Sequence, residues 1–169
     1  MSIGTPLPFI TRSTETLDQP PAAVLFDYME QRFGNTCTQL KVKRSTIICN
    51  QGAKLSYLYL IQYGEVLLTR LSPDGRETLI SILGPGEFFG ESSLLSGTPI
   101  TFSASATRRT TLLQLPERKF KLLLEDPNVC RTLLESIARR CDDAWTQMEV
   151  LGCTHVRDKV RSGLLWLSG

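Results

Sequence analysis

Histidine is nearly missing from this chain of 169 residues, and His155 is the only one. A single imidazole rules out a histidine-rich metal set and leaves no hydroxyl or thiol with a neighbouring base, so nucleophilic catalysis has no starting point. Five cysteines are present (Cys37, Cys49, Cys130, Cys141 and Cys153), but no two stand in a C-x-x-C pair, which argues against zinc. Residues 1–36 hold no cysteine, so an iron–sulfur cluster held by clustered thiolates near the N-terminus is not expected. The start of the chain lacks a basic segment followed by an apolar one, and no stretch approaches ~20 apolar residues. Reduced thiols in a cytoplasm, with no membrane partner, are the expectation. Charge of either sign is also scarce in excess. The net charge is +2, so composition announces no nucleic-acid-binding face.

What is present is punctuation. Residues 1–21 are rich in Thr, Ser and Pro without a period and read as a flexible leader. Val24, Leu25, Tyr28 and Met29 recur at helical spacing, and Gly34-Asn35 ends that helix. Short β-type runs follow. Gln39 to Cys49 is one, and a turn at Gln51-Gly52 closes it. Tyr57 to Arg70 is another, with Gly64-Glu65 in its middle. Ser72-Pro73-Asp74-Gly75 has the chemistry of a hairpin turn before Thr78 to Leu83. A glycine-rich loop from Gly84 to Gly90 comes next, Glu91 to Leu95 reads as a short helical turn, and Phe102 to Leu115 is strand-like again. Short strands at such regular spacing predict an α+β chain built on an antiparallel β-roll, a double-stranded β-helix. Pro116 opens a helix that stops near Asp126-Pro127. The expected division is a sensing domain over 22–127, a helix over 128–155 and the start of a further domain over 156–169.

Two features carry function. The first is Leu83-Gly84-Pro85-Gly86-Glu87-Phe88-Phe89-Gly90-Glu91, whose glycines expose backbone amides as an anion cradle beside the Glu91 carboxylate. The second is the series Leu134, Ile137, Cys141, Ala144, Met148, Leu151 and His155, alternating steps of 3 and 4. That narrow seam fits a two-stranded coiled coil and predicts a homodimer, although packing against the chain's own β-domain gives the same period. Trp145 lies beside the seam and is a candidate to meet the β-roll. Cys141 lies on it, either as a small buried hydrophobe or as one half of an inter-chain disulfide, which needs Cα atoms within about 7 Å. Val156, Val160, Leu164 and Leu167 form a fresh apolar stripe with nothing after it to bury it.

The succession of Tyr59 to Val66, Asp74 to Glu77, Gly84 to Glu91 and Leu94 to Pro99 resembles the catabolite-activator (CRP/FNR) family of transcription regulators over residues 22–169. The resemblance implies a cyclic-nucleotide-binding-like roll, a dimerisation helix, and a helix-turn-helix domain that would bind DNA and is missing from these residues. It maps the ribose-binding Gly-Glu pair onto Gly90 and Glu91. The arginine that would hold the cyclic phosphate becomes Ile100, followed by Thr101 and Phe102. A buried phosphate without a cation is costly; backbone amides and Thr101 offset part of that, and Arg108 and Arg109 are candidate substitutes, with two solvated arginines as the more ordinary reading. On the dimer helix, the hydroxyl side chains that would meet adenine become Ala144 and Trp145. The expected effector site is therefore Gly90, Glu91, Ile100, Thr101, Phe102 and Trp145. It has no certain cofactor and takes an effector other than cyclic AMP, or none. A true cyclic-nucleotide sensor and a stand-alone module acting through a protein partner remain alternatives. Glu65 and Glu87 follow turn glycines and read as surface residues, and Gly152 to His155 reads as a hinge.

Overall fold

A computed structural model of the chain describes residues 37–152, with side chains to Thr146. The expected leader, the first helix, His155 and the 156–169 stripe lie outside the described residues. The strands are β1 (Thr38–Val42), β2 (Ile47–Cys49), β3 (Tyr57–Tyr63), β4 (Val66–Leu71), β5 (Glu77–Leu83), β6 (Phe88–Phe89), β7 (Ser103–Ala106) and β8 (Thr110–Pro116). The helices are α1 (Glu91–Ser96), α2 (Glu117–Leu123) and α3 (Pro127–Gly152). Two antiparallel sheets form the roll, in the orders β1-β8-β3-β6 and β2-β7-β4-β5. The chain changes sheets at every connection except the β4–β5 hairpin, and four of those crossings are the β1–β2, β3–β4, β5–β6 and β7–β8 turns. Pairing of Val42 with Thr110, Tyr63 with Thr111 and Leu60 with Phe88 puts all four turns at one end, here termed the crossing end. The run from Tyr57 to Arg70 is therefore two strands in opposite sheets, and Phe102 to Leu115 divides likewise at 107–109.

Alternation along β3 builds two cores. Leu58 and Leu60 face outward with Leu113 and Leu115 of β8 onto Phe120 and Leu123 of α2 and Val129 and Leu133 of α3. Tyr59 and Ile61 face inward, between the sheets, among Leu55, Val66, Leu83, Phe89, Ile100 and Leu112. Tyr59 and Phe89 stack with ring centroids 4.9 Å apart and planes 4° apart, adding to area burial by about 1 kcal/mol. Burial pushes the Cys49 thiol in this inner core up to about 11, against a smaller opposite pull from a backbone hydrogen bond at Ala104.

Local chemistry fixes the turns. In the β4–β5 hairpin the Gly75 N–H donates to Ser72 O at 2.9 Å and the Ser72 N–H to Arg76 O at 2.9 Å, with Gly75 at φ 82°. Asp74 is held below the usual carboxylate range by hydrogen bonds from Ser72 and Arg76. Gln51 ties this hairpin to the β2–β3 loop. Its side-chain amide donates to Leu71 O at 3.1 Å and accepts from the Leu71 N–H at 2.9 Å. Pro116, with extended backbone, caps α2 as β8 ends.

The chain divides into two compact units, one holding the roll as far as Leu133, the other holding α3 from Leu134 onward. In the second unit Leu134 and Trp145 are 66% and 68% exposed, Ile137 is half-buried, and Cys141 and Ala144 are exposed. Met148 and Leu151 lie in the last turns of α3. Among the described residues no helix is long and apolar enough to cross a membrane.

Candidate functional site

The glycine loop folds as its composition demands. Gly84-Pro85-Gly86-Glu87 is a type II turn: the Glu87 N–H donates to Gly84 O at 3.1 Å, Pro85 holds the second position, and Gly86 takes φ 87° at the third. The Glu87 carboxylate closes the turn by accepting from the Gly84 N–H at 2.6 Å. Two backbone bonds fasten it to β3, Gly86 N–H to Ile61 O at 2.8 Å and Ile61 N–H to Glu87 O at 2.9 Å. Gly90 then takes φ 97° and starts α1. A Cβ there would sit 2.8 Å from Tyr57 O and 3.3 Å from Leu55 Cδ1, so the position admits only glycine without rearrangement. Glu91 follows, half-buried, with its Oε2 atom out of reach of solvent.

From α1 the chain returns through Gly97 and Pro99 to the position where the resemblance expects arginine. Ile100 is 3% exposed and belongs to the inner core, and Phe102 packs against the same core half-buried. Thr101 is exposed. The β2–β3 loop gathers this segment with Gly90. Ile100 N–H donates to Ala53 O at 2.9 Å, Gly52 N–H to Ile100 O at 2.8 Å, and Gln51 N–H to Ser103 Oγ at 3.0 Å. Ser93, 2% exposed, completes the lock: its hydroxyl accepts from the Leu55 N–H at 3.1 Å and donates to Thr98 O at 2.7 Å. The structure thus brings Gly90, Ile100 and Phe102 onto one loop through Leu55. Trp145 lies on α3 in the other unit and is described there alone. Sequence reasoning missed Ser93 and Gln51, whose roles rest on partners 38 and 20 residues away. Ser93 is one of three serines in α1, so the sequence does not single it out.

Two expectations need correction. Arg108 and Arg109 do not stand near Ile100. They occupy the β7–β8 turn at the crossing end, whereas Ile100 precedes β7. Arg108 donates to Gly64 O at 3.5 Å and pairs with Glu65 at 3.6 Å, while Arg109 is exposed. The length of β7 separates them from Gly90 and Ile100, because strand direction decides which end a residue reaches. Glu65 and Glu87 are not simple surface residues either. Both are half-buried and bind turns together, Glu65 by accepting from Thr107 Oγ1 at 2.6 Å.

A two-sheet roll with this glycine loop, a short helix after a Gly-Glu pair and a long following helix defines a domain of the cyclic-nucleotide-binding type. Residues 39–126 match the family model of the cyclic nucleotide-binding domain, and the chain belongs to that family. It is similar to the cyclic AMP receptor protein of Thermus thermophilus, 36% identical over 118 residues, covering 69% of this chain and 55% of that protein. It is also similar to the CRP-like cAMP-activated global transcriptional regulator of Mycobacterium tuberculosis, 31% identical over 126 residues, covering 74% of this chain and 56% of that one. Among solved structures, the N-terminal domain of a transcriptional regulator from Streptomyces coelicolor matches with a TM-score of 0.56 at 31% identity, covering 74% of this chain and 90% of that chain. The catabolite activator protein of T. thermophilus matches with a TM-score of 0.63 at 30% identity, covering 80% and 60%. The chain spans about half the length of the curated relatives it matches.

Proposed function

We propose that this chain is the effector-sensing and dimerisation module of a CRP-type transcription regulator whose roll does not take cyclic AMP. The observation that carries this reading is the burial of Ile100 in the inner core, at the position the resemblance assigns to the phosphate-binding arginine. A cyclic phosphate there would meet a methyl-bearing side chain where charge compensation is needed, at a cost of several kcal/mol. Gly90 and Glu91 retain the ribose side of the cradle, so an uncharged effector, or none, fits better than a cyclic nucleotide. The module is non-catalytic and works in the cytoplasm. The proposed division is a leader over 1–21, sensing over 22–127, pairing over 128–155 and the start of a DNA-binding domain over 156–169.

The helix seam supplies the output. Leu134, Ile137, Cys141, Ala144, Met148 and Leu151 repeat at the coiled-coil period, and the exposure of Leu134 and Trp145 on α3 supports a second copy as their cover. An effector that favours one arrangement of the helix pair shifts the hinge at Gly152 to His155 and with it the DNA-binding domains.

Calorimetric titration with cyclic AMP tests the ligand half. No heat of micromolar binding is expected from the natural chain, and such heat would overturn the reading. An Ile100→Arg variant, checked by thermal melting for an intact fold, reports whether restoring the cation restores binding. Light scattering tests the pairing half: the natural chain is expected as a dimer and Ile137→Asp as a monomer. A dimer retained in the variant would remove the seam.

A further inference from the structure

The arginine pair that does not serve the cradle sits in a setting of its own. At the crossing end the β1–β2 turn carries Lys43 and Arg44, and the neighbouring β7–β8 turn carries Arg108 and Arg109. Backbone bonds hold the two turns side by side, Ser45 N–H to Ala106 O at 2.7 Å and Ala106 N–H to Thr46 O at 2.9 Å. The β1–β8 register ends with Val42 opposite Thr110, so one step further places Lys43 beside Arg109. Like charges directly opposite across strands destabilise a sheet. The acids nearby do not offset them: Glu65 is engaged by Arg108 and Thr107, and Glu87 closes the glycine turn. Among the described residues, Lys43, Arg44 and Arg109 are all exposed and make no ion pair.

The patch continues onto the outer face of the first sheet. Lys41, Thr111 and Tyr63 are partners in one row across β1, β8 and β3, and a register shift between Ile61 and Tyr63 turns the tyrosine outward, 63% exposed. Thr111 of β8 stands between them, so Tyr63 and Lys41 are two strand spacings, about 10 Å, apart, a span that one extended segment laid across the row covers. The turn itself is stiff, closed by Thr46 N–H to Lys43 O at 3.2 Å, with Ser45 at φ 63° as the one non-glycine residue there with positive φ.

We infer that this end of the roll, Lys41, Lys43, Arg44 and Arg109 around Tyr63, is a docking surface for an acidic segment of a partner protein. The choice of partner follows from what the patch contains. Uncompensated cations on two rigid turns match a few carboxylates in one peptide, and charge complementarity of this kind selects partners and speeds encounter. Single-stranded nucleic acid is held instead by a groove with successive aromatic platforms, and among the described residues of the patch Tyr63 is the one aromatic. The surface is independent of the effector site, so neither depends on the other being right.

Fluorescence anisotropy with a labelled oligoglutamate peptide carrying one tryptophan tests it on the full chain, beside a labelled oligothymidylate of equal charge. The peptide is expected to bind at about 50 mM salt and to weaken steeply by about 200 mM. Lys43→Gln/Arg44→Gln/Arg109→Gln, all at exposed positions and checked by thermal melting, is expected to lose affinity about tenfold. Arg76→Gln, in the hairpin at the other end, is expected to bind as the natural chain does. Absence of peptide binding at low salt, equal loss in both variants, no loss in the triple variant, or tighter binding of the oligothymidylate would each overturn the assignment.

Discussion

The two ends of the roll hold themselves together by different means. At the crossing end the contacts are close and polar. Gly64 lies so near β8 that a Cβ would fall 2.4 Å from Thr110 Oγ1 and 2.6 Å from Arg109 O. Thr110, wholly buried, accepts from the Glu65 N–H at 3.1 Å. At the opposite end, the segment onto which the resemblance maps the phosphate-binding arginine is packed with side chains. Ile100, Leu55, Tyr59 and Phe89 share the inner core, and backbone bonds to Gly52 and Ala53 secure them. The crossing end turns on the missing side chain of Gly64, and the other combines the missing side chain of Gly90 with the filling one of Ile100. Charge follows the same division: it is withdrawn from the cradle at Ile100 and left unpaired at Lys43 and Arg109.

Substitutions sharpen this contrast, beginning where the effect is greatest. Gly64→Val combines a φ of 96° with a clash against buried backbone, and is expected to cost about 4 kcal/mol or more in urea unfolding. A loss below about 1 kcal/mol would show that the crossing end yields easily. Ile100→Ala, which empties part of the inner core, is expected to cost about 3 kcal/mol. A neutral outcome would mean the cradle is open rather than filled. Gly75→Ala, at φ 82° with open space around it, carries only the left-handed backbone penalty of about 1 kcal/mol.

The last expected effect is one of pH, spread over a range of conditions. Cys49 stays protonated in the folded chain up to about 11, whereas a thiol in the unfolded chain ionises nearer its ordinary value of 9.0. The unfolded chain therefore holds fewer protons across that window. Stability present below pH 9.0 is expected to fall as pH rises toward 11, and the slope should vanish in Cys49→Ala. A slope unchanged in the variant would assign it to other groups, Tyr59 among them, whose hydroxyl burial also raises.

The sequence was most informative where structure is made locally. Ser72-Pro73-Asp74-Gly75 and Gly84-Pro85-Gly86-Glu87 each close within four residues, so their turns could be read directly. The helical turn after Gly90 was equally plain. What stayed hidden depends on which strands meet. Nothing local tells that Tyr57 to Arg70 crosses from one sheet to the other at Gly64, and without that crossing Arg108 and Arg109 cannot be assigned to an end. The substitution at Ile100 was visible as chemistry, while its burial required the β2–β3 loop to fold over it. Glu65 and Glu87 look like exposed acids because their partners, a threonine 42 residues away and a backbone amide, leave no charge pattern.

The clasp made by Gln51 has a mechanical consequence. One side chain grips both the amide and the carbonyl of Leu71, at the base of the β4–β5 hairpin, as a neighbouring strand would. The same residue's backbone bonds to Ser103, and the next residue's to Ile100. A pull on the hairpin therefore has, beside the β4–β7 ladder, a short side-chain lever to the floor of the cradle. Shortening that lever by one methylene, as Gln51→Asn would, breaks this link while leaving both in place.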